Sequence, residues 1–483
     1  MTPRIKIKIV DEVNCVFEGL TVNELKKIIK ETEIPVKGAF MSPAFKTKNW
    51  NGKESLFDPD GVAFQYMIPQ VVDILIKMGV NIDRDIELVD EREVFVDLSK
   101  IDKVDENFLE NELGFKLREH QISIINSGIT EKTGIFDAAT NAGKSAICLA
   151  LSKKYDGVIP SLIIVPSEYL ANQTYAVYKK SNLNVSYITK DIKPKDRKKV
   201  IEDSDHIVIT SKLFLNCKEY FVDKPYVLLV DEVHQFGEML ANAIRSELRN
   251  CPVRIGMSGS IPKDRFKKEF IFCHFNGGII DYVGVDYLTE KGYAAKTDIK
   301  MFITEDLEID LASQQSKKWS WDLEYSYLSS NKNRIRTISE FIKSFDLKNS
   351  LILCHPEFGK QLVTYFDTDF ICDETPQERR IELLNKFDTE DDAYVFASFG
   401  TTGTGVSKDR IYRLIIIDIG KNDTYIKQGI GRAIRLDGVY NEVDVIDISS
   451  DTKYSKIHRR DRIKLYKADK HQFEIIEEKI KIR

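Results

Sequence analysis

Cysteine is scarce and unpatterned in this chain. The seven residues among 483, at positions 15, 148, 217, 251, 273, 354 and 372, are odd in number and form no C-x-x-C. A disulfide framework and a structural zinc site are therefore not what organises the fold, and a reducing, intracellular, cytoplasmic compartment is the expectation. The 25 Gly and 13 Pro are too few for a collagen-like or linker-rich protein. No apolar run nears the roughly 18 residues of a membrane span; the best, Leu414 to Ile419, already contains Asp418. Met1 to Lys6 alternate charge and lack a signal-peptide core. No membrane partner is expected. Charge of one sign is missing too. The 71 Lys and Arg stand against 76 Asp and Glu, a net of −5, so a globally basic footprint for nucleic acid is absent. No nuclease-like carboxylate cluster and no Ser/Cys–His–Asp arrangement that would add a second chemistry is read from the sequence.

Apolar material is plentiful. Hydrophobic residues make up 42%, with 26 Phe and 20 Tyr, which excludes a disordered chain. The length is about three average domains of roughly 150 residues. Three regions separate by pattern. Residues 1–95 carry an alternating strand, Arg4 to Val10, amphipathic helices near Val22–Thr32 and Gln65–Met78, and a polar basic stretch, Phe45 to Lys53. They read as a small α+β module. In residues 96–287, short apolar runs such as Leu162 to Val165, His206 to Ile209 and Tyr226 to Val230 alternate with helical stretches. Buried parallel strands in βαβ units read this way. The pattern returns in residues 288–483, with Leu351 to Cys354, Ala393 to Ala397 and Leu414 to Ile417, and a basic helical tail follows. From Thr452 to Arg483 the net charge is +6, and Lys190 to Lys199 form a second basic run. The fold class is α/β, two tandem parallel-sheet domains after a smaller one.

Ala138-Ala139-Thr140-Asn141-Ala142-Gly143-Lys144-Ser145 stands between an apolar strand and an apolar helix, the setting of a phosphate-binding loop. Its N–H groups, with those of Thr140, Asn141, Ala142 and Gly143, would wrap phosphate. Lys144 would supply a point charge and the Ser145 hydroxyl would ligate Mg²⁺. Ala138 replaces the first Gly of the G-x-x-x-x-G-K-[S/T] pattern. Downstream, Asp231-Glu232-Val233-His234 follows a buried strand, so both carboxylates fall at the sheet edge where ligands bind. Asp231 suits the Mg²⁺ and Glu232 suits proton abstraction from an attacking water. Gln428-Gly429-Ile430-Gly431-Arg432-Ala433-Ile434-Arg435 places two guanidiniums on one helix face, as arginine fingers require. ATP and Mg²⁺ are the cofactors implied.

Together these motifs resemble the superfamily 2 helicases, and others follow in that family's order. Phe115 to Gln121 resembles the adenine-contacting segment, which assigns Arg118 and Gln121 to ATP, with Gln121 as the base reader. Pro166 and Ser167 lie in a stretch similar to motif Ia, and Thr210-Ser211 is similar to motif Ib; the family uses both on strand phosphates. Met257 to Ser260 occupies the place of motif III. Ala397 to Ser407 resembles motif V, which implies DNA contact at Thr401 and nucleotide contact at Gly405. Ser407 there replaces the usual Asp or Asn. His234 and Gln428 join the catalytic set by the same likeness, and a histidine fourth in motif II points towards DNA translocases. Within the superfamily the likeness runs to phage recombination helicases, on Lys48 to Gly52, Leu288 to Tyr293, motif V and the four-residue spacing of His458, Arg462 and Tyr466.

The resemblance implies two tandem RecA-like motor domains preceded by a DNA-holding module. It implies an ATP-dependent helicase or translocase, probing branched, single-stranded and duplex DNA, with RNA–DNA hybrids as a further substrate, acting as a monomer in recombination, repair and replication. Lys46, Lys48, Trp50 and Lys53 become DNA contacts, with Trp50 either a stacking wedge or a core aromatic of the module. Two other readings stay open: a restriction-type duplex translocase, and a nucleotide-gated annealing protein.

Overall fold

In the computed structural model of the chain, residues 3–93, 96–222, 224–306, 319–390, 392–400, 411–420, 426, 429–431 and 442–482 are described. They fall into two compact units, 1–138 with 143–282, and 139–142 with 283–483.

The first unit opens with the small module. Its strands are β1 (Ile5–Ile9), β2 (Asn14–Glu18), β3 (Ile34–Pro35), β4 (Lys53–Glu54), β5 (Val62–Phe64) and β6 (Ile86–Asp90). The sheet runs β5-β2-β1-β6, with β1 antiparallel to β2 and parallel to β6, while β3 and β4 form a separate two-residue ladder. The alternation Ile5, Ile7 sends every second residue inward, against Cys15 and Phe17, and helices α1 (Val22–Thr32) and α2 (Ile68–Lys77) add Ile28, Val71, Ile74 and Leu75 to the same core. Thr21 starts α1 by a reciprocal cap with Glu24, and Arg4, together with that cap, holds the Glu24 carboxyl down at about 2 despite its burial.

The module is packed on the sheet domain that follows. Its core includes Cys273 from that domain. The Arg245 guanidinium lies 4.0 Å from the Phe64 ring centre and its Nε donates to Asn14 Oδ1 at 2.6 Å. Phe64 also faces the His274 ring at 4.8 Å, and the Glu12 N–H donates to the Arg249 carbonyl at 3.0 Å.

The sheet domain contains β7 (Thr133–Ala138), β8 (Ser161–Val165), β9 (Val185–Ile188), β10 (His206–Thr210), β11 (Val227–Asp231), β12 (Val253–Ser258) and β13 (Ile279–Val283), ordered β13-β7-β12-β11-β8-β10-β9. The pairs from β7 to β9 are parallel. β8, β10 and β12 are buried along their whole length, which is why they read as unbroken apolar runs. Helices α3 (Glu119–Glu131), α4 (Lys144–Lys154), α5 (Glu168–Tyr178), α6 (Glu238–Glu247) and α7 (Arg265–His274) alternate with them. Arg254 on β12 is fully buried, and its guanidinium donates to the carbonyls of Leu248 and His274, closing the ends of α6 and α7.

The second unit repeats the plan. Its elements are β14 (Lys296–Glu305), α8 (Trp321–Ser330), α9 (Lys332–Lys343), β15 (Ser350–Cys354), β16 (Phe370–Ile371), β17 (Tyr394–Ser398), β18 (Arg413–Ile417), β19 (Glu442–Ser450), α10 (Lys453–Ala468), β20 (Gln472–Ile475) and β21 (Ile480–Lys481). The order is β16-β17-β15-β18-β19-β14-β20, with β21 on β14, and all these pairs are parallel. The basic tail divides. One face of α10 is core: Arg462 grips Asp447 of β19 through two 2.8 Å bonds, Tyr466 donates to the same carboxylate at 2.8 Å, and His458 meets Trp321 edge-on at 4.4 Å. The four-residue spacing of His458, Arg462 and Tyr466 is thus an internal stripe. Buried Glu324 of α8 accepts from the Tyr454 and Ser455 N–H groups and caps α10 from outside its own chain segment. Ala139–Ala142 group with this unit; the Ala139 N–H donates to the Val283 carbonyl at 2.9 Å and the Asn141 amide to the Gly431 carbonyl at 3.1 Å. No described helix is long and apolar enough to cross a membrane.

The contact between module and sheet domain should be acid-sensitive. Burial pushes the His274 imidazole down to about 4, and Nδ1 lies 2.7 Å from the Phe270 carbonyl. A depressed histidine leaves the native state unprotonated while the unfolded chain takes up a proton. Stability is therefore whole above about pH 6.5 and falls on the order of 3 kcal/mol as pH drops towards 4. Thermal unfolding measured across that window should be steeper for the parent than for His274→Phe; equal pH profiles would contradict it.

Candidate nucleotide-binding site

β7 ends at Ala138, and the chain turns through Asn141 (φ 74°) and Gly143 (φ 86°) before α4 begins at Lys144. The left-handed Gly143 lets the chain turn directly into α4, whose first residues are Lys144 and Ser145. A Cβ at Gly143 would overlap the Gln121 amide nitrogen. Gln121 itself is buried on α3, where its Oε1 accepts from the Arg118 N–H at 2.9 Å. The residue assigned to base reading thus has its amide against the phosphate loop.

β11 ends at Asp231, and Glu232, also left-handed (φ 53°), turns the chain into the single 3₁₀ turn Val233–Gln235. That turn brings three side chains together. Lys144 Nζ lies 3.2 Å from Glu232 Oε1, and His234 Nδ1 lies 3.2 Å from Glu232 Oε2. His234 Nδ1 is also 2.9 Å from Ser258 Oγ, and Ser258 accepts from the Ser260 N–H at 3.1 Å. The motif III segment therefore touches motif II through one hydroxyl. Ser258 was readable as motif III, but nothing in the sequence names His234 as its partner.

The electrostatics follow from burial and pairing. Burial opposes charge on Lys144, yet Glu232 and Asp231 more than offset it and its pKa is raised. Burial also works against the Glu232 carboxylate, but Lys144 and His234 outweigh it and hold it at about 2. Asp231 is pushed up to about 6, by burial first and then by the Glu232 charge. An insufficiently compensated buried carboxylate beside a phosphate loop suits a cation, and Asp231 with Ser145 at the start of α4 would hold one. Among the described residues no cluster of three or more His, Cys, Asp or Glu is placed to bind a metal by itself. With two protein ligands, such a cation would depend on phosphate oxygens.

The remaining assigned residues are scattered more widely. Ser167 caps α5 by accepting from the Leu170 N–H at 3.3 Å, directly after Pro166 at the end of β8. Thr210 caps the short helix Ser211–Leu215 at the end of β10 in the same manner. Both lie at carboxyl ends of strands in the sheet that carries Lys144. Lys46, Lys48 and Lys53 are exposed on the module, and Trp50 Nε1 donates to the Lys53 carbonyl at 2.7 Å. Thr401, Gly405, Gln428, Arg432 and Arg435 lie outside the described residues. The fold also contains a Ser–His–Asp set: His206 lies 2.6 Å from Ser161 Oγ and 3.0 Å from Asp156 Oδ1. Ser161 and His206 are fully buried inside the sheet, so the hydroxyl meets no substrate and the set ties β8 to β10.

The chain has two parallel α/β sheets, one bearing a phosphate loop paired with an acidic strand end, and it is similar to known DNA helicases. Residues 114–263 match the family model of the type III restriction enzyme res subunit. The chain is similar to the ATP-dependent DNA helicase uvsW of Enterobacteria phage T4, at 23% identity over 498 residues, covering 94% of this chain and 95% of that protein. The crystal structure of T4 UvsW aligns over 99% of this chain and 100% of its own, with 18% identity and a TM-score of 0.45. The DUF1998 helicase MrfA bound to DNA matches 78% of this chain and 55% of its own at 14% identity and a TM-score of 0.55, a likeness of fold.

Gly143→Ala should cost nucleotide affinity by at least about tenfold, through φ strain and through the clash with Gln121. Adding Gln121→Ala should relieve the clash and recover part of that loss in a fluorescent-nucleotide titration. Parental affinity in the single variant would exclude this loop geometry.

Proposed function

We propose that the chain is an ATP-hydrolysing DNA motor that remodels branched DNA, migrating junctions, regressing forks and unwinding R-loops. The observation that carries the motor is the Lys144–Glu232–His234 set at the sheet edge. The DNA part rests on similarity to a protein named as a DNA helicase. We assign residues 1–95 to holding duplex DNA, 96–287 to the first motor domain and 288–483 to the second.

Glu232 is tied to Lys144 at 3.2 Å, and that bond competes with its action as a base. The phosphates of ATP are stronger partners for an ammonium group, so their arrival would draw Lys144 away and free the Glu232 carboxylate for the attacking water. His234 would keep that carboxylate oriented and pass its state to Ser258. Mg²⁺, held by Ser145, Asp231 and the phosphates, would neutralise charge developing on the transferred group. Arg432 and Arg435 would add finger contacts in the transition state.

The match to a restriction enzyme subunit supports a second reading, a translocase that walks on duplex without parting its strands. Strand displacement from a forked substrate by the purified chain separates the two.

Lys144→Ala should abolish ATP binding. Glu232→Gln should leave binding intact and lower DNA-stimulated turnover by on the order of 10²-fold or more. Steady-state ATPase with single-stranded, duplex, forked and four-way DNA measures both, and parental turnover in Glu232→Gln would remove it from the role of base. Arg432→Ala and Arg435→Ala should lower kcat by roughly 10³- to 10⁵-fold with little change in ATP affinity.

A further inference from the structure

The segment between β3 and β4 is a small lobe with an unusual surface. Residues 34–53 contain Lys37, Lys46, Lys48 and Lys53 and no acidic residue, in a chain whose net charge is −5. Its tip is apolar: Phe40 is 65% and Met41 69% exposed, on the 3₁₀ turn Ala39–Met41. Two neighbouring large apolar side chains so exposed are costly in water unless something covers them.

The lobe is rigidly built. The Val36 N–H donates to the Gly52 carbonyl at 2.9 Å, the Met41 N–H to Gly38 at 2.9 Å and the Ser42 N–H to Ala39 at 2.9 Å. Trp50 is fastened by its bond to the Lys53 carbonyl, and the Phe45 ring packs on Gly52, where a Cβ would lie 2.9 Å away. Trp50, Phe45 and Phe40 line one open groove of about 590 Å³ with Lys46 and Lys48 at its side. Trp50 and Phe45 are therefore scaffold, while Phe40 and Met41 are presented.

We propose that Phe40 and Met41 form an apolar wedge that stacks against the base pair at a DNA branch point while Lys37, Lys46 and Lys48 hold the adjoining phosphates. This rests on the reading of the chain as a motor on branched DNA. Proteins that part or kink a duplex insert side chains of this type between base steps, and exposed lysines match the phosphate backbone. Lys53 lies 3.8 Å from the Glu33 carboxylate, so Lys37, Lys46 and Lys48 are the lysines assigned to phosphate. An unpaired base at a junction has an exposed face, so the wedge would gain most where pairing already stops.

The test uses the full chain and its Phe40→Ala/Met41→Ala variant on a forked duplex carrying 2-aminopurine at the branch nucleotide, beside a blunt duplex with the same label inside. The parent should raise fluorescence at the fork and not in the blunt duplex. The variant should lose that rise and unwind the fork roughly tenfold more slowly, while its single-stranded-DNA-stimulated ATPase matches the parent. Lys46→Ala/Lys48→Ala should weaken both DNAs and flatten the salt dependence by about two units of log–log slope. Fork opening at the parental rate by the double-alanine variant overturns the wedge. So does a change of oligomeric state on sedimentation with fork opening intact, which would make the tip a protein contact. A parent chain without DNA-stimulated ATPase would instead defeat the motor reading itself.

Discussion

Lys144 and Glu232 face each other at 3.2 Å with side chains only 14% and 16% exposed. Neither charge could sit there alone, because breaking such a pair costs about 3–5 kcal/mol. The pairing constrains the surrounding backbone. Lys144 must begin α4 immediately after a left-handed Gly143, and Glu232 must itself take a left-handed φ that a glutamate rarely adopts. The turn at Glu232 then delivers His234 to Ser258. The two charges are thus held at the sheet edge by two left-handed residues, one of them the strained Glu232.

Buried charge is satisfied in the same way elsewhere in the fold. Arg254, Arg334 and Arg462 are all fully buried. Arg254 feeds helix-end carbonyls, Arg334 sits between Asp306 and Asp418 at 3.1 and 2.6 Å, and Arg462 clasps Asp447. Each guanidinium spends its fixed fork on several acceptors from different elements, so each joins a strand to a helix or loop. Arg462 and Glu324 make α10 part of the second sheet's core, although its composition reads as a solvated basic tail.

The α/β plan was legible because buried parallel strands need apolar side chains on both faces, and those runs stand out at Leu162 to Val165 and His206 to Ile209. The phosphate loop and the acidic strand end were legible because their chemistry demands particular residues in a fixed order. Partnerships across the sequence were not. Nothing local tells that Gln121 lies on Gly143, that His234 meets Ser258, or that Ser161, His206 and Asp156 form a buried tie. These depend on which strand ends become neighbours. In the module, the sequence leaves Trp50 as either a wedge or a core aromatic; its indole N–H is committed to the Lys53 carbonyl, while Phe40 and Met41, which carry no motif, are exposed.

The module's attachment bears on how turnover would reach DNA. Phe236 follows the motif II turn and packs on the His274 ring at 5.6 Å; His274 packs on Phe64 of the module at 4.8 Å, and Arg245 of α6 covers Phe64 from another side. All of these residues belong to the first compact unit, together with Lys144 and Glu232. The lobe between β3 and β4 is thus built on the same packed body as Lys144 and Glu232. A wedge fixed to that body does not need its own hinge. Any movement of that body would carry the Phe40–Met41 tip with it, through the side-chain packing around Phe64 rather than a flexible tether.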